Sequence, residues 1–111
     1  MPTTEEAFRR LALGDTAFLA DPGAHGANGL VARRLDERTE ALLRIAALIA
    51  VDAPESSYRS SVEAAVRGGA RLEDLLAVLV SVSGAVGSAR VVAAAPRIAM
   101  ALGYDVEAAL Q

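Results

Sequence analysis

Two consecutive segments near the carboxyl end of the chain are apolar on almost every side. Residues 72–87 are mostly leucine, valine and alanine, and from Ser88 to Leu102 only Ser88, Arg90 and Arg97 are available to face water. A helix that is apolar nearly all round must be buried on all sides, and five or six short helices in 111 residues cannot enclose two such helices well. We therefore expect a homo-oligomer, because contiguous apolar patches usually mark interfaces. The alternative is a monomer that tolerates alanine and valine on its outer face.

Hydrophobic residues along the chain recur three and four positions apart, with glycine and proline between the repeats. This period is typical of amphipathic helices, and the sequence lacks the period-two alternation that indicates a strand. The predicted fold is all-α, with five to six helices in a single domain over residues 1–111. The predicted helices span Glu5–Leu19, Glu37–Val51, Glu55–Arg67, Leu72–Gly87 and Ser88–Leu102, with a loop over Asp21–Gly29 and a short terminal helix over Asp105–Leu110.

The residues at the predicted helix ends give these boundaries a physical cause. Thr4 and Asp36 carry side-chain oxygens that can accept hydrogen bonds from the first free amides of helices one and two. Pro54 suits the first turn of helix three, where its missing N–H would be unpaired anyway, and Gly68-Gly69 stops that helix. Pro96 lies inside helix five, where we expect it to remove one backbone hydrogen bond and kink the helix.

The residue inventory excludes several kinds of catalysis. The chain has no cysteine, which rules out disulfides, thiolate nucleophiles, iron–sulfur clusters and sulfur-based zinc sites. Its single histidine rules out a multi-histidine metal site within one chain. We therefore expect neither a metal nor a cofactor.

Charge and hydropathy limit the partners that the chain can have. The formal net charge is −3, and the eleven basic residues are all arginines scattered along the chain, so no basic cluster could follow a phosphate backbone. The longest uncharged run, Leu75–Ala89, is shorter than the roughly 20 residues that span a bilayer. The acidic start over residues 1–6 does not resemble a signal peptide. We expect no nucleic acid and no membrane among the partners, and a cytoplasmic location.

Short motifs follow one another in an order that points to a known family. Leu35-Asp36-Glu37-Arg38-Thr39 leads into an apolar helix, Gly69-Ala70 closes the next helix, Leu72-Glu73-Asp74-Leu75 opens another, and Gly87 follows late. Over roughly Leu35 to Met100, this order resembles the carboxymuconolactone decarboxylase and alkylhydroperoxidase D-like family. The resemblance implies an alkylhydroperoxidase D-like helical bundle that assembles as trimers or hexamers.

The peroxidase branch of this family has a Cys-x-x-Cys-x-x-x-His arrangement on helix three. Counting back from Gly69-Ala70 places its three reactive residues at Pro54, Ser57 and Ser61. A serine hydroxyl ionises far above neutral pH and forms no disulfide, so the resemblance does not extend to thiol peroxidase activity.

The decarboxylase branch has a histidine at the position of Ser61 and needs no cofactor. The resemblance implies a small-molecule ligand, a lactone or carboxylate, and acid–base chemistry of the lyase, decarboxylase or isomerase type. Such chemistry needs a fixed cation for the carboxylate and an acid that returns a proton to carbon. Ala85 and Ala89 stand where the branch has tyrosine and proline. The alternative is a non-catalytic ligand-binding or assembly member of the same family.

Helix three offers hydroxyl groups at the positions where the family has its chemistry. We expect Ser57 and Tyr58 to bind substrate in a pocket beside helix three, and Ser61 to be a catalytic residue. The same hydroxyls could serve as caps and packing, because serine inside a helix often bonds back to its own carbonyls. Arg59 is a candidate for seating an anionic group, or it forms an exposed pair with Glu55.

Further candidates for proton transfer and anion binding lie outside helix three. His25, in the glycine-rich loop, titrates near pH 7 without perturbation, so His25 and Glu40 are candidate catalytic residues. A lone loop histidine can equally be simply exposed. Arg44, within an apolar run, is a candidate carboxylate clamp, but Glu37, Glu40 and Arg44 also fit a solvent-exposed salt-bridged stripe.

Overall fold

The computed structural model describes residues 2–20 and 34–103, and the chain divides into two units, Met1–Leu35 and Asp36–Gln111. All regular secondary structure in the described residues is helical, which confirms the predicted all-α class for that part of the chain. The expectation of one domain over residues 1–111 stays a prediction. The loop predicted over Asp21–Gly29 and the helix predicted over Asp105–Leu110 lie outside the described residues.

The first unit begins with α1, Thr4–Ala12, which is capped by Thr3. Thr3 Oγ1 accepts a hydrogen bond from the Glu6 amide at 3.2 Å, and Glu6 Oε2 accepts one from the Thr3 amide at 3.3 Å. This reciprocal arrangement is a capping box, which satisfies two amides at once. The prediction of Thr4 as the cap was wrong by one residue, because the carboxylate of Glu6 pairs with the residue three positions before it.

The helix predicted over Glu5–Leu19 is shorter in the structure. α1 ends at Ala12, Gly14 adopts a φ of +86°, and a 3₁₀ helix follows over Ala17–Ala20. A positive φ ends the helical hydrogen-bond ladder, and glycine adopts it without the steric cost of a Cβ atom. The helical spacing of apolar residues continues past Gly14, so the spacing alone overstated the length of the helix.

The second unit contains four helices over its described residues, α2 (Glu37–Ala50), α3 (Glu55–Arg67), α4 (Leu72–Val86) and α5 (Ser88–Ala101). Each agrees with the predicted helix to within one residue at either end. α2 packs against the other three helices, and α5 also contacts α3 and α4. The inner face of α3 therefore meets α2 and α5.

Most of the residues that the sequence predicts at the ends of these helices lie at or next to those ends. Asp36 Oδ1 accepts a hydrogen bond from the Thr39 amide at 2.7 Å, and hydrogen bonding from Thr39 holds the pKa of Asp36 below its usual value. Pro54 immediately precedes α3 instead of lying in its first turn, and Gly69, with a φ of +96°, follows its end. Pro96 lies inside α5 as predicted, and the kink expected there stays a prediction.

The core of the second unit draws on all four helices. Ile98 of α5 is only 3% exposed, and the remaining helices supply the largest fully buried side chains, which are Tyr58, Ile45, Ile49, Leu75 and Val62. Gly68 allows the end of α3 to approach the start of α2 closely, because a Cβ atom at Gly68 would lie 2.7 Å from the backbone nitrogen of Arg38. This close approach of the two helix ends requires glycine at position 68.

The outward faces of α4 and α5 are apolar and exposed in the single chain. Leu76 and Val80 on α4 are 60% and 64% exposed, and Val92 on α5 is 71% exposed. The sequence predicts burial of these two helices on all sides, whereas over the described residues of the second unit each helix has one buried and one exposed side. Within the described residues, no helix combines the length and the apolar character that crossing a membrane requires.

Candidate functional site

The inner face of α3 carries the hydroxyl groups that the sequence singled out. Ser57 and Tyr58 lie four and three positions before Ser61, so the helix brings each of them next to Ser61 on one side. Tyr58 is fully buried, Ser61 is 6% exposed and Ser57 is half-buried, while Pro54 is exposed. Among the described residues, Ser61 is the one buried residue with a polar side chain other than tyrosine. We call Ser57, Tyr58 and Ser61 the α3 hydroxyl face.

Tyr58 has a polar atom that nothing in the described part of the chain satisfies. Its hydroxyl is buried and has no hydrogen-bond partner among those residues. Burial raises the pKa of the Tyr58 phenol, the Arg97 guanidinium lowers it, and the Asp52 carboxylate raises it. The phenol therefore stays protonated at neutral pH and offers an O–H donor. An unsatisfied buried donor costs about 1–3 kcal/mol, so its presence calls for an explanation.

Next to Tyr58, charged side chains from distant parts of the sequence meet. Arg97 Nη1 lies 2.7 Å from Asp52 Oδ1 and donates a further hydrogen bond to the Ala53 carbonyl at 2.9 Å. Arg90 Nη1 lies 3.8 Å from Asp52 Oδ2. Asp52 itself has a φ of 55°, a left-handed conformation in which aspartate is one of the more frequent residues. We call Asp52, Arg90 and Arg97 the arginine–aspartate cluster.

The sequence did not predict the arginine–aspartate cluster. The sequence indicates that Arg90 and Arg97 face water from helix five, and it gives no role to Asp52. Their separations along the chain are 38 and 45 residues, so no local spacing rule connects them. One feature of the sequence does point to such a contact. An arginine side chain within the nearly apolar α5 needs a polar partner if the helix packs closely.

The remaining predicted site residues lie at the surface or outside the described residues. Glu40 and Arg44 on α2 form an ion pair at 3.9 Å with both side chains about half exposed, as expected of a salt-bridged stripe. Arg59 and Glu55 are both exposed on α3, but the expected pair between them does not form among the described residues. The two side chains can each remain hydrated there. His25 lies outside the described residues.

Three open grooves on the second unit are bordered by described residues. One of about 310 Å³ lies beside the arginine–aspartate cluster, one of about 350 Å³ lies between α2 and α4, and one of about 450 Å³ lies between α3 and α5. The last borders the second half of α3, at Val62 and Val66. None of these three grooves is lined by Ser57, Tyr58 or Ser61, so the pocket expected beside those hydroxyl groups is not one of them. In the part of the chain that the structure describes, no three His, Asp or Glu side chains are grouped to hold a metal ion.

The α3 hydroxyl face can therefore donate and accept hydrogen bonds in a region shielded from water. Donors in such a region act more strongly on a developing negative charge than they would in solvent. Comparisons with family models, with curated protein sequences and with solved structures found no match to this chain.

Proposed function

We propose that the chain is a divergent member of the carboxymuconolactone decarboxylase and alkylhydroperoxidase D-like family and acts as a cofactor-free enzyme of the lyase, decarboxylase or isomerase type. One observation carries the proposal. The Tyr58 hydroxyl, which is buried and has no hydrogen-bond partner in the described part of the chain, lies on the same helix face as the buried Ser61. In the sequence resemblance, two residues of this face, Ser57 and Ser61, correspond to reactive positions of the relatives.

The proposed chemistry is the loss of carbon dioxide from a small carboxylate-bearing lactone. The bond between carbon and the carboxylate breaks, and its electron pair moves toward the lactone carbonyl, which becomes an enolate. The O–H group of Tyr58 donates a hydrogen bond to that oxygen, and Ser61 holds the lactone in place. A proton then returns to carbon from a general acid.

The other candidate residues differ in whether an ion pair already occupies their charged group. Arg44 is paired with Glu40, whereas Arg59 has no acidic partner among the described residues and is free to bind an anionic group. Arg59 is exposed on the side of α3 away from Ser61, so contact with the substrate carboxylate requires its long side chain to reach round the helix. The pairing of Glu40 likewise favours His25, the single histidine, as the general acid.

The experiment that tests the proposal is a screen for turnover. Purified protein is incubated with a set of carboxylate-bearing γ-lactones, and ¹H NMR follows loss of the substrate. Ser61→Ala is expected to slow turnover at least about 10-fold, since it removes a hydrogen bond made in a water-excluded site. Ser60→Ala, which alters the exposed neighbouring serine, is the matched control and keeps the wild-type rate. No turnover with any lactone, or equal rates for Ser61→Ala and the wild type, would contradict the proposal.

A second candidate function is assembly without catalysis, and the exposed faces of α4 and α5 favour it. Leu72, Leu76 and Val80 form a row four residues apart on α4, each about half exposed or more, and Val92 and Met100 extend the apolar surface on α5. A second copy of the chain would cover these faces in a trimer or hexamer. Assembly by itself agrees with either candidate, because an oligomer can also be an enzyme, and turnover distinguishes the enzyme from the non-catalytic assembly.

A further inference from the structure

The arginine–aspartate cluster has more positive than negative charge. Two guanidinium groups face one carboxylate, which leaves a net charge of +1 at the turn between α2 and α3. Arg97 is the better held of the two arginines, because it makes hydrogen bonds to both Asp52 and Ala53. Arg90 approaches Asp52 only to 3.8 Å, and its side chain is 45% exposed. The guanidinium of Arg90 is thus free to contact another acceptor.

A groove lies at this exposed guanidinium. It has a volume of about 310 Å³ and is lined by Asp52, Ala89, Arg90 and Ala93. This volume is at the lower end of the range for small-molecule sites. Ala89 and Ala93 give it apolar walls, while Arg90 supplies a positive group with planar, forked donors that match the two oxygens of a carboxylate.

The first turn of α5 adds to the positive potential in the groove. α5 begins at Ser88, and no side chain accepts hydrogen bonds from its first amides among the described residues. Ala89 and Arg90, which line the groove, belong to this turn. The free amides and the helix dipole both favour a negative charge near a helix start.

We propose that this groove binds the carboxylate group of a small molecule, with Arg90 as the main contact and Asp52 as an internal competitor for the same guanidinium. The net charge of +1 matches a singly charged carboxylate, whereas a doubly charged phosphate would leave an excess negative charge beside Asp52. The site goes beyond the proposed function, because it requires neither the α3 hydroxyl face nor turnover.

The test is a titration of the purified protein with sodium benzoate, followed by ¹⁵N–¹H NMR at neutral pH. Benzoate joins a carboxylate to an apolar ring, and benzamide, which has nearly the same shape and no charge, is the ligand control. We expect saturable shifts of the Ala89 and Ala93 amides with benzoate and none with benzamide. Inorganic phosphate is titrated separately and should bind more weakly than benzoate.

Two substitutions on the site and one control make the test specific. Arg90→Gln should weaken benzoate binding about tenfold, because it removes the charged and exposed contact. Asp52→Asn keeps a residue that tolerates a positive φ and removes the competing carboxylate, so benzoate should bind about threefold more tightly. Arg71→Gln removes an exposed arginine that does not line this groove and should leave the affinity unchanged.

Four results would overturn the proposal. They are equal shifts with benzoate and benzamide, wild-type affinity in Arg90→Gln, weaker binding by Asp52→Asn, and tighter binding of phosphate than of benzoate. Each is measured without turnover, so failure of this site and failure of the proposed enzyme activity can be told apart.

Discussion

Arg97 on α5 and Asp52 in the turn between α2 and α3 are joined by a hydrogen bond of 2.7 Å across 45 residues of sequence. The same nitrogen of Arg97 also donates to the Ala53 carbonyl at 2.9 Å. The side chain of Arg97 is 32% exposed, so the pair lies at the edge of the core and not in open solvent. These bonds connect α5 to the turn that precedes the α3 hydroxyl face.

Arg97→Met should therefore lower the free energy of unfolding. Methionine preserves the apolar part of the side chain and removes both hydrogen bonds, which together contribute about 1–2 kcal/mol. Arg90→Met is the matched control and should change the free energy of unfolding by less than about 0.5 kcal/mol, because Arg90 is more exposed and farther from Asp52. Urea denaturation followed by circular dichroism measures both. Equal losses in the two variants would contradict this account of Arg97.

Alkaline pH should destabilise the protein through Tyr58. Burial raises the pKa of Tyr58 above its ordinary value of 10.0. The folded state therefore holds the phenol proton more tightly than the unfolded state does. The free energy of unfolding keeps its full value below pH 10 and falls as the pH rises through the higher, folded-state pKa. All eleven basic side chains are arginine and cysteine is absent, so tyrosines are the side chains that titrate near this pH.

Urea denaturation at pH 9 and pH 11 tests this dependence. We expect the free energy of unfolding to fall between these values in the wild type and to fall less in Tyr58→Phe. Tyr104→Phe changes the second tyrosine and keeps Tyr58. In this variant the decrease in the free energy of unfolding that is due to Tyr58 should remain. A fall in Tyr58→Phe as large as that of the wild type would show that Tyr58 does not titrate in this way.

Two glycines should respond to alanine in opposite directions. A Cβ atom at Gly68 would lie 2.7 Å from the Arg38 backbone nitrogen, whereas one at Gly84 meets nothing within 4 Å. Gly68→Ala should lower the free energy of unfolding by about 1–3 kcal/mol, because the ends of α3 and α2 must move apart. Gly84→Ala should raise it by about 1 kcal/mol, because alanine favours the helix interior. Thermal and urea denaturation would refute the close approach if both variants were stabilised.

Self-association should depend on the outward faces of α4 and α5. Sedimentation equilibrium is expected to give the wild type a mass that is a multiple of the 11.4 kDa chain. Leu76→Glu combined with Val92→Glu places charges on both faces and should yield the monomer mass. Val51→Glu alters a side chain that is 71% exposed in the turn after α2, and it should leave the assembly intact. A wild-type mass of 11.4 kDa at every concentration would contradict the expected oligomer.

The helices of the second unit could be predicted because their ends depend on local chemistry. Asp36 caps α2 through Thr39, and Gly69 supplies the positive φ after α3, both within a few residues of the helix they end. The sequence does not predict the end of α1, because the apolar spacing continues past Gly14. The positive φ of this one glycine prevents the helix from continuing with that spacing.

For the candidate site, the sequence predicts which residues share one side of α3 and nothing beyond that helix. The period of α3 places Ser57, Tyr58 and Ser61 on one side of the helix, where Tyr58 and Ser61 are buried, and their roles in binding and catalysis stay predictions. The contact of Arg97 with Asp52 depends on how α5 packs against the turn before α3. Such a contact has no counterpart in a sequence period, so it required the structure.

In the proposed function, the Tyr58 hydroxyl is buried without a partner among residues 2–20 and 34–103 because it serves a ligand. The most direct measurement is the free energy of unfolding and the lactone turnover of Tyr58→Phe, determined on the same preparation. Removing an unsatisfied buried hydroxyl should leave stability unchanged or raise it by about 1 kcal/mol, while turnover falls at least about 100-fold. A Tyr58→Phe protein that is less stable than the wild type, or that turns over the lactone at the wild-type rate, would contradict the claim.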